Sequence, residues 1–249
     1  MGELATFTYR DFSARIREKN YNIPIYKFIP FEYVVSIFRA NALQIFQTLH
    51  WEDVYENFLL KSVASKDEQK NLKQLVQSYY GQCWTFRKET DALWRIYSPT
   101  KQSVRLQTTI RKLGNATRQC VETSADITCA TIGPVKYFQP AKFRKWVQAR
   151  GRSEGAAPAL IDSLFIKRTA FSHESELRLI LQRKELIAQK GKPHIKLAID
   201  PNKFFNEIAL DPRVTDDQVT IYTHMLRKLG YENRIYRSPL YEFQPVVGA

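Results

Sequence analysis

The order of predicted elements indicates an α+β fold built on a mixed β-sheet. In some segments apolar and polar residues alternate, as in strands, and in others apolar residues lie three and four apart, as in helices. These segments follow one another without a regular strand–helix repeat, which disfavours a doubly wound parallel sheet. With 249 residues, 44% of them hydrophobic, the chain can bury a sizeable core and is not intrinsically disordered. We expect a single domain over residues 1–249, with helical insertions and a basic loop insertion at 141–160.

Helices alternate with strands in the first half of the prediction. The segment 31–40, FEYVVSIFRA, has apolar residues three and four apart and is predicted to be a helix. Thr90 and Asp91 are good N-caps, so another helix is expected to begin there, and Gly81 is expected to break the chain between a helix and a strand. The predicted strands cover 22–28, 43–46, 83–86 and 103–109, and further helices cover 53–63 and 66–80.

The second half is predicted to be rich in strands. The stretch 151–158, GRSEGAAP, is small and polar and is the best candidate for a loop. One helix is predicted over 215–229. The predicted strands cover 135–138, 164–167, 175–181, 194–199, 206–210 and 233–237.

Positive charge is concentrated in the middle of the chain. The sequence has 38 Lys and Arg against 25 Asp and Glu, a formal charge of +13, and residues 81–160 contribute 14 basic and 5 acidic side chains. This surplus favours a polyanionic partner, and aromatic residues among the cations are typical of proteins that bind single-stranded nucleic acid. The alternative is a solvated helical face whose Phe143 and Trp146 pack into the core. The densest basic stretch consists of Lys142, Arg144, Lys145, Arg150 and Arg152.

Several classes of protein are excluded by sequence. No apolar run approaches the roughly 18 residues of a membrane span and the N-terminus has no signal-peptide pattern, so we expect a cytoplasmic protein without a membrane partner. The three cysteines include no C-x-x-C pair and the four histidines never fall at metal-ligand spacing, so no metal is expected. Neither G-x-G-x-x-G nor a P-loop occurs, which excludes those two modes of nucleotide binding.

The segment 172–182, SHESELRLILQ, holds the main candidate for catalysis. As a strand it would place Glu174, Glu176 and Arg178 on one face and leucines on the other. A carboxylate fixed on such a face suits electrostatic or base catalysis, although the face could equally be solvated. As a helix, the segment would instead form a Glu174–Arg178 pair four residues apart.

Aromatic residues cluster in the segment 83–97, CWTFRKETDALWRIY. A predicted strand carries Trp84 and Thr85, and Trp94 and Tyr97 lie three apart on one face of the following helix. Aromatics at this spacing either belong to the core or form a platform for a ligand.

The order of these motifs resembles a widespread bacterial family of unannotated domains, over residues 22–240. The sequence departs from the family pattern with Val54 in place of a common proline, Trp84 beside the cysteine, and Phe171 in place of a common tryptophan. The motifs are Tyr26-Lys27-Phe28, Asp53-x-x-Glu56, Cys83 before Trp94-x-x-Tyr97, Val135-Lys136-Tyr137, Lys167 and Glu174-x-Glu176-x-Arg178.

More remotely, the opening Tyr-Lys strand and the late Glu-x-Glu strand resemble the ADP-ribosyltransferase superfamily, which includes toxins that modify nucleic acid. The resemblance implies a fold of that type and NAD as substrate, with Glu176 binding the ribose and Glu174 orienting or deprotonating the acceptor. It further implies a bacterial toxin or anti-phage effector that acts on nucleic acid, RNA above all, and is paired with an antitoxin protein. The NAD-binding positions that it implies are Tyr26 or Lys27, Trp84, Thr85, and Trp94 or Tyr97. On chemical grounds, the positive charge of Arg178 or Lys27 would bind the pyrophosphate.

Two other functions are compatible with the same residues. Asp53, Glu174, Glu176 and Lys167 would suit a metal-dependent nuclease, in which carboxylates position Mg²⁺ and water. In a non-catalytic nucleic-acid-binding module, the glutamates would merely pair with nearby arginines.

Overall fold

A computed structural model describes residues 12–14, 20–51, 73, 75–153, 156–184 and 194–243. The strands are β1 (Phe12–Ala14), β2 (Pro24–Pro30), β3 (Ala42–Gln47), β4 (Tyr79–Thr85), β5 (Ser103–Thr109), β6 (Ile127–Pro134), β7 (Lys136–Phe138), β8 (Ile166–Arg168), β9 (Glu176–Arg183), β10 (His194–Ala198), β11 (Glu207–Leu210) and β12 (Arg234–Arg237). The helices are α1 (Phe31–Ala40), α2 (Asp91–Tyr97), α3 (Ile110–Thr123), α4 (Pro140–Ser153), α5 (Ala156–Ser163), α6 (Pro201–Phe204) and α7 (Asp216–Lys228).

One large mixed sheet organises the described residues. Its strand order is β1-β6-β9-β4-β2-β5-β11-β12, and β3 pairs both with β4 and with β10. The pairs β4–β9 and β2–β5 are antiparallel, whereas β1–β6 and β11–β12 are parallel. The strands β7 and β8 form a separate parallel pair. The predicted α+β fold with a mixed sheet is therefore confirmed.

Where local sequence signals are strong, the predicted elements are confirmed. The helix over 31–40 and the strand over 103–109 have the predicted limits. The Thr90 side chain caps α2 by accepting a hydrogen bond from the amide of Leu93. The helix predicted at 215–229 begins at a capping box formed by Thr215 and Gln218.

Three predicted boundaries are wrong. Gly81 lies inside β4 rather than at a break, because a Cβ at this position would overlap the Trp51 ring and crowd Thr48, so only glycine fits. The loop predicted at 151–158 is mostly helical, since α4 continues to Ser153 and α5 begins at Ala156. Alanines favour helix there more strongly than the glycines disfavour it. The predicted helix over 53–63 and most of the one over 66–80 lie outside the described residues. Residues 73 and 75–77 are helical, but Tyr79 and Tyr80 already belong to β4, so the predicted helix extends too far.

The helix α3 and the strand β6 were not predicted. The helix α3 is amphipathic but polar on average: its buried stripe includes Thr117 and Cys120, and it contains the poor helix formers Gly114 and Asn115. It packs against β5, β6 and β10.

Both faces of the strand β9 are buried, and this determines where its charged residues lie. Leu177, Leu179 and Leu181 belong to the main core. Ile180, on the opposite face, belongs to a second cluster with Leu160 and other residues. The alternation predicted for this segment is present, but the face that carries Arg178 is covered by protein and not by solvent.

Within the described residues no helix is both long and apolar enough to cross a membrane.

Candidate active site

A pocket lies at one end of the three neighbouring strands β2, β4 and β9. Tyr26 on β2 pairs with Thr85 on β4, and Thr85 pairs with Glu176 on β9, so three neighbouring strands bring these residues side by side. The pocket has about 420 Å³ of empty space, part of it open to solvent. It is lined by Tyr26, Lys27, Phe28, Cys83, Trp84, Thr85, Leu93, Tyr97, Glu174 and Glu176.

Two carboxylates in this pocket share one ammonium group. The Lys167 Nζ donates to Glu174 Oε2 and to Glu176 Oε1, at 2.6 Å in each case. The Arg178 Nε donates to the other oxygen, Glu176 Oε2, at 2.7 Å. All four side chains are at most 10% exposed. Because buried charges need partners, this network fixes the orientation of the Glu176 carboxylate.

The two glutamates reach the pocket in different ways. Glu176 is the first residue of β9, whereas Glu174 ends a 3-10 turn at Thr169–Glu174. Between them Ser175 has a φ of 46°, in the left-handed region, so Glu174 does not continue the face of the strand as expected. Thr85 Oγ1 donates to the Glu174 carbonyl oxygen at 2.5 Å, and the Glu176 amide donates to the Tyr137 hydroxyl oxygen at 2.8 Å. These bonds hold the turn against the pocket.

The environment drives the pKa values of the two carboxyl groups apart. Burial raises the pKa of Glu174, and its hydrogen bond with Glu176 adds to this, so that the value is about 7 although Lys167 acts in the opposite direction. Burial also acts to raise the pKa of Glu176, but the Arg178 guanidinium, the hydrogen bond with Glu174 and the Lys167 ammonium hold it well below its usual range. Near neutral pH, Glu176 is therefore ionised while Glu174 exchanges a proton.

Other polar groups of the pocket are desolvated as well. The Lys27 Nζ donates to the Cys83 carbonyl oxygen at 3.0 Å and lies 5.9 Å from the centre of the Trp84 ring. Burial lowers the pKa of Lys27. Burial raises the pKa of Tyr97, and the negative charges of Glu174 and Glu176 contribute. The phenol of Tyr97 therefore stays neutral and is able to donate a hydrogen bond.

Two of the predicted NAD-binding residues do not line the pocket. Trp94 is fully buried, packs edge-on against Phe28 at 4.8 Å, and donates from Nε1 to Glu89. It supports the pocket from behind, and its ring does not belong to the lining. Arg178 is also fully buried, with Nη1 donating to the Leu164 carbonyl oxygen at 2.7 Å, and it acts on Glu176 rather than on a pyrophosphate.

Trp84 lines the pocket but is only 2% exposed, and its Nε1 donates to Gln82 Oε1. It therefore forms a wall of the pocket and not a free stacking platform. Tyr26 and Thr85 line the pocket as well, while Asp53 and Glu56 lie outside the described residues.

The basic stretch forms part of the helix α4, and its aromatic residues point inward. Phe143 is buried in a cluster with Phe138 and Ile166, against which Trp146 packs. This packing matches the alternative of a helical face whose aromatic residues insert into the core, and nucleic-acid binding by the cations of α4 stays a prediction. Lys142, Arg144 and Lys145 are exposed. The side chains of Arg150 and Arg152 lie outside the described residues.

Lys167 is the residue that the NAD-binding prediction missed. It was named among the family motifs and in the alternative nuclease site but not for NAD binding, and the structure places it between both glutamates. A lysine that directly follows the apolar segment 164–166 is the sequence signal that points to a buried cation. Among the described residues no cluster of three or more His, Cys, Asp or Glu side chains forms a metal site.

Comparisons with known proteins give structural matches only. No protein-family model matches the sequence, and no curated protein is significantly similar to it. The structure is similar to Thermus sp. 2.9 DarT in complex with carba-NAD+, with 11% identity and a TM-score of 0.36 over 87% of this chain and 96% of that one. The same DarT in complex with ADP-ribosylated ssDNA has 10% identity and a TM-score of 0.37, over 87% of this chain and 94% of that one. In complex with NAD+ it has 12% identity and a TM-score of 0.37, over 87% of this chain and 96% of that one. Values this low do not establish a shared fold or a shared activity.

Proposed function

We propose that this protein is an ADP-ribosyltransferase that transfers ADP-ribose from NAD to nucleic acid, with RNA as the preferred acceptor. The observation that carries the proposal is the ionised Glu176 carboxylate, fixed between Arg178 and Lys167 and facing a pocket with aromatic walls. A buried carboxylate that is ionised at neutral pH suits a reaction in which positive charge develops on a sugar.

The pocket fits one end of the NAD molecule. The pocket is small and opens to solvent, so it would hold the nicotinamide end while the rest of the NAD molecule extends outside. Tyr26, Trp84 and Tyr97 would surround the nicotinamide ring, and Lys27 is the cation of the lining that would approach the pyrophosphate. The Glu176 carboxylate accepts hydrogen bonds from Lys167 and Arg178 and shares one with Glu174, so one of its four lone pairs would remain for a ribose hydroxyl.

The two glutamates would divide the chemistry between them. The bond between C1′ of the ribose and the nicotinamide nitrogen breaks, and nicotinamide leaves as a neutral molecule. Glu176 would stabilise the positive charge that develops on the ribose. The acceptor attacks C1′ with a lone pair, and its proton passes to Glu174, whose pKa of about 7 suits a general base.

The biological setting follows from the resemblance described above and from the charge of the chain. We propose a cytoplasmic toxin or anti-phage effector held in check by an antitoxin protein. The surplus of 13 positive charges supports a polyanionic acceptor.

One alternative is also supported by a specific observation. The exposed cations of α4 are compatible with a nucleic-acid-binding module that has no catalytic activity. A nuclease is less well supported, because the Lys167 ammonium already occupies the space between the two carboxylates where Mg²⁺ would bind.

The experiment that tests the proposal is incubation of the purified protein with labelled NAD and, separately, bacterial RNA, DNA and protein. We expect label on RNA with the wild type and none with Glu176→Gln. Glu122→Gln, an equivalent change at an exposed site on α3, serves as the control and should retain full transfer. Absence of both transfer and nicotinamide release from the folded wild type would refute the proposal. Salt-sensitive binding without turnover would support the binding module instead.

A further inference from the structure

Two exposed cations follow directly after a strand that lines the pocket. Arg87 and Lys88 come immediately after β4 and Phe86, and both are exposed. Within the part of the chain that the structure describes, neither side chain forms an ion pair. Their charges are thus available to a ligand two and three residues beyond Thr85, which lines the pocket.

The backbone of this segment is held rigidly. The Arg87 amide donates to Thr85 Oγ1 at 3.0 Å, and the Phe86 amide donates to the Ser175 carbonyl oxygen at 3.0 Å. The Lys88 carbonyl oxygen accepts a hydrogen bond from Arg105 Nη1 at 3.2 Å. The backbone from which both side chains extend therefore has a fixed position relative to Thr85 and Ser175.

The acidic residues of the same segment are occupied by other partners. Glu89 lies 3.3 Å from the buried Arg105 and accepts hydrogen bonds from Trp94 and from Ser238, the latter at 2.5 Å. Asp91 pairs with Arg95 at 2.8 Å. The negative charges are thus turned away from solvent or matched, and the surface near the pocket stays positive.

The lining of the same pocket includes a partly exposed aromatic ring. Tyr97 lines the pocket and is 38% exposed, and its ring stacks on Phe28 with a centroid distance of 6.3 Å. A supported, half-exposed ring beside free cations is the combination that binds single-stranded nucleic acid, because bases stack while phosphates pair with the cations.

We propose that Arg87, Lys88 and Tyr97, together called the rim, bind single-stranded nucleic acid and present it to the pocket as the acceptor. This inference rests on the proposed function and specifies where the acceptor lies. It also differs from the expectation for α4, whose Phe143 is buried and whose Trp146 packs against the same cluster. Lys142 and Arg144 of α4 would add only long-range attraction.

The test compares two double variants that remove the same charge. Arg87→Ala/Lys88→Ala alters the rim and Lys142→Ala/Arg144→Ala alters α4. Binding of a fluorescent single-stranded RNA 12-mer is measured across a range of salt concentrations. Each lost phosphate contact makes the negative slope of log affinity against log salt shallower by about 0.7. We expect the slope to become shallower by about 1.4 for the rim variant, with no comparable change for the α4 variant.

Tyr97 is tested by two single variants. Tyr97→Phe keeps the ring and should bind the 12-mer within about twofold of the wild type. Tyr97→Leu removes the ring and should lose about 5- to 150-fold in affinity. Equal affinities of these two variants would remove Tyr97 from the rim.

Nicotinamide release without nucleic acid separates this inference from the proposed function. If the wild type releases nicotinamide and the rim variant releases it equally but transfers less ADP-ribose, the rim proposal is supported. If neither the wild type nor the rim variant releases nicotinamide, the proposed function fails, while the salt dependence of RNA binding still tests the rim. If the rim variant binds as the wild type does, or if both double variants weaken binding equally, the rim proposal is overturned.

Discussion

Lys167 and Glu176 form a buried ion pair, with 2.6 Å between Nζ and Oε1, although the Lys167 ammonium also binds Glu174. The pair links the short strand β8 to the start of β9. A single cation therefore connects the carboxylate that stays ionised to the one that exchanges a proton, and this relationship leads to the predictions that follow.

Replacing Lys167 should lower the stability of the protein. Lys167→Met leaves two buried carboxylates with Arg178 as their remaining cationic partner, so we expect the free energy of unfolding to fall by about 3–5 kcal/mol. Lys167→Arg keeps the charge and should recover part of the loss. Urea unfolding measures both variants, and a Met variant as stable as the wild type would show that the network contributes nothing.

Transfer should depend on pH through Glu174. Its pKa is raised to about 7, and only the ionised form accepts a proton, so transfer by the wild type should increase as the pH rises through about 7. In Glu174→Gln the rate should be lower and this increase should be absent. A rate profile from pH 5.5 to 8.5 decides the matter, and an unchanged profile in the Gln variant would assign the proton to another group.

The same shift predicts the direction in which stability changes with pH. Between the ordinary carboxyl pKa of 4.5 and about 7, the folded protein binds a proton at Glu174 that the unfolded chain has released. This contribution is therefore present at low pH and is lost as the pH rises through that range. Unfolding free energies measured at pH 5 and pH 8 should differ less in Glu174→Gln than in the wild type. An identical difference in both proteins would contradict the shift.

Trp94 should matter for stability and not for binding. Trp94→Phe removes the hydrogen bond to Glu89 and should cost about 1–3 kcal/mol in unfolding free energy. Affinity for NAD should stay within about twofold of the wild type, because the ring does not line the pocket. Calorimetric titration with NAD provides the measurement, and a tenfold loss of affinity would restore Trp94 as a ligand contact.

Gly81 gives a test of packing. In Gly81→Ala the new methyl group would meet Trp51 and Thr48, so we expect a loss of about 1–3 kcal/mol. Gly230→Ala is the comparison: its surroundings are open, but its φ of 84° should cost about 1 kcal/mol through backbone strain. Chemical denaturation of both variants measures these losses, and a Gly81→Ala protein at least as stable as the wild type would contradict the packing.

The sequence predicted the elements that have local signals and missed relationships that depend on distant residues. The alternation of leucines in β9 identified Glu176 and Arg178 as neighbours on one face. No local pattern indicated the left-handed Ser175, which displaces Glu174 from that face. The burial of Trp94 depends on Glu89, which also binds Ser238, 149 residues away along the chain.

The candidate site was predicted only in part, because it also depends on residues that are distant in sequence. Tyr26, Thr85 and Glu176 meet only because the register of three strands aligns them, and register is a property of the folded sheet. The cation Lys167 reaches the glutamates through the separate β7–β8 pair, whose strands are three residues long. Such short strands carry little sequence signal.

The most direct test of the central claim is the rate of nicotinamide release from NAD, measured for the wild type and Glu176→Gln at pH 7.5 in the presence of RNA. If the ionised carboxylate stabilises the developing charge on the ribose, the Gln variant should be slower by about 10²–10³-fold with an unchanged fold. A Gln variant that releases nicotinamide within twofold of the wild-type rate would contradict the claim.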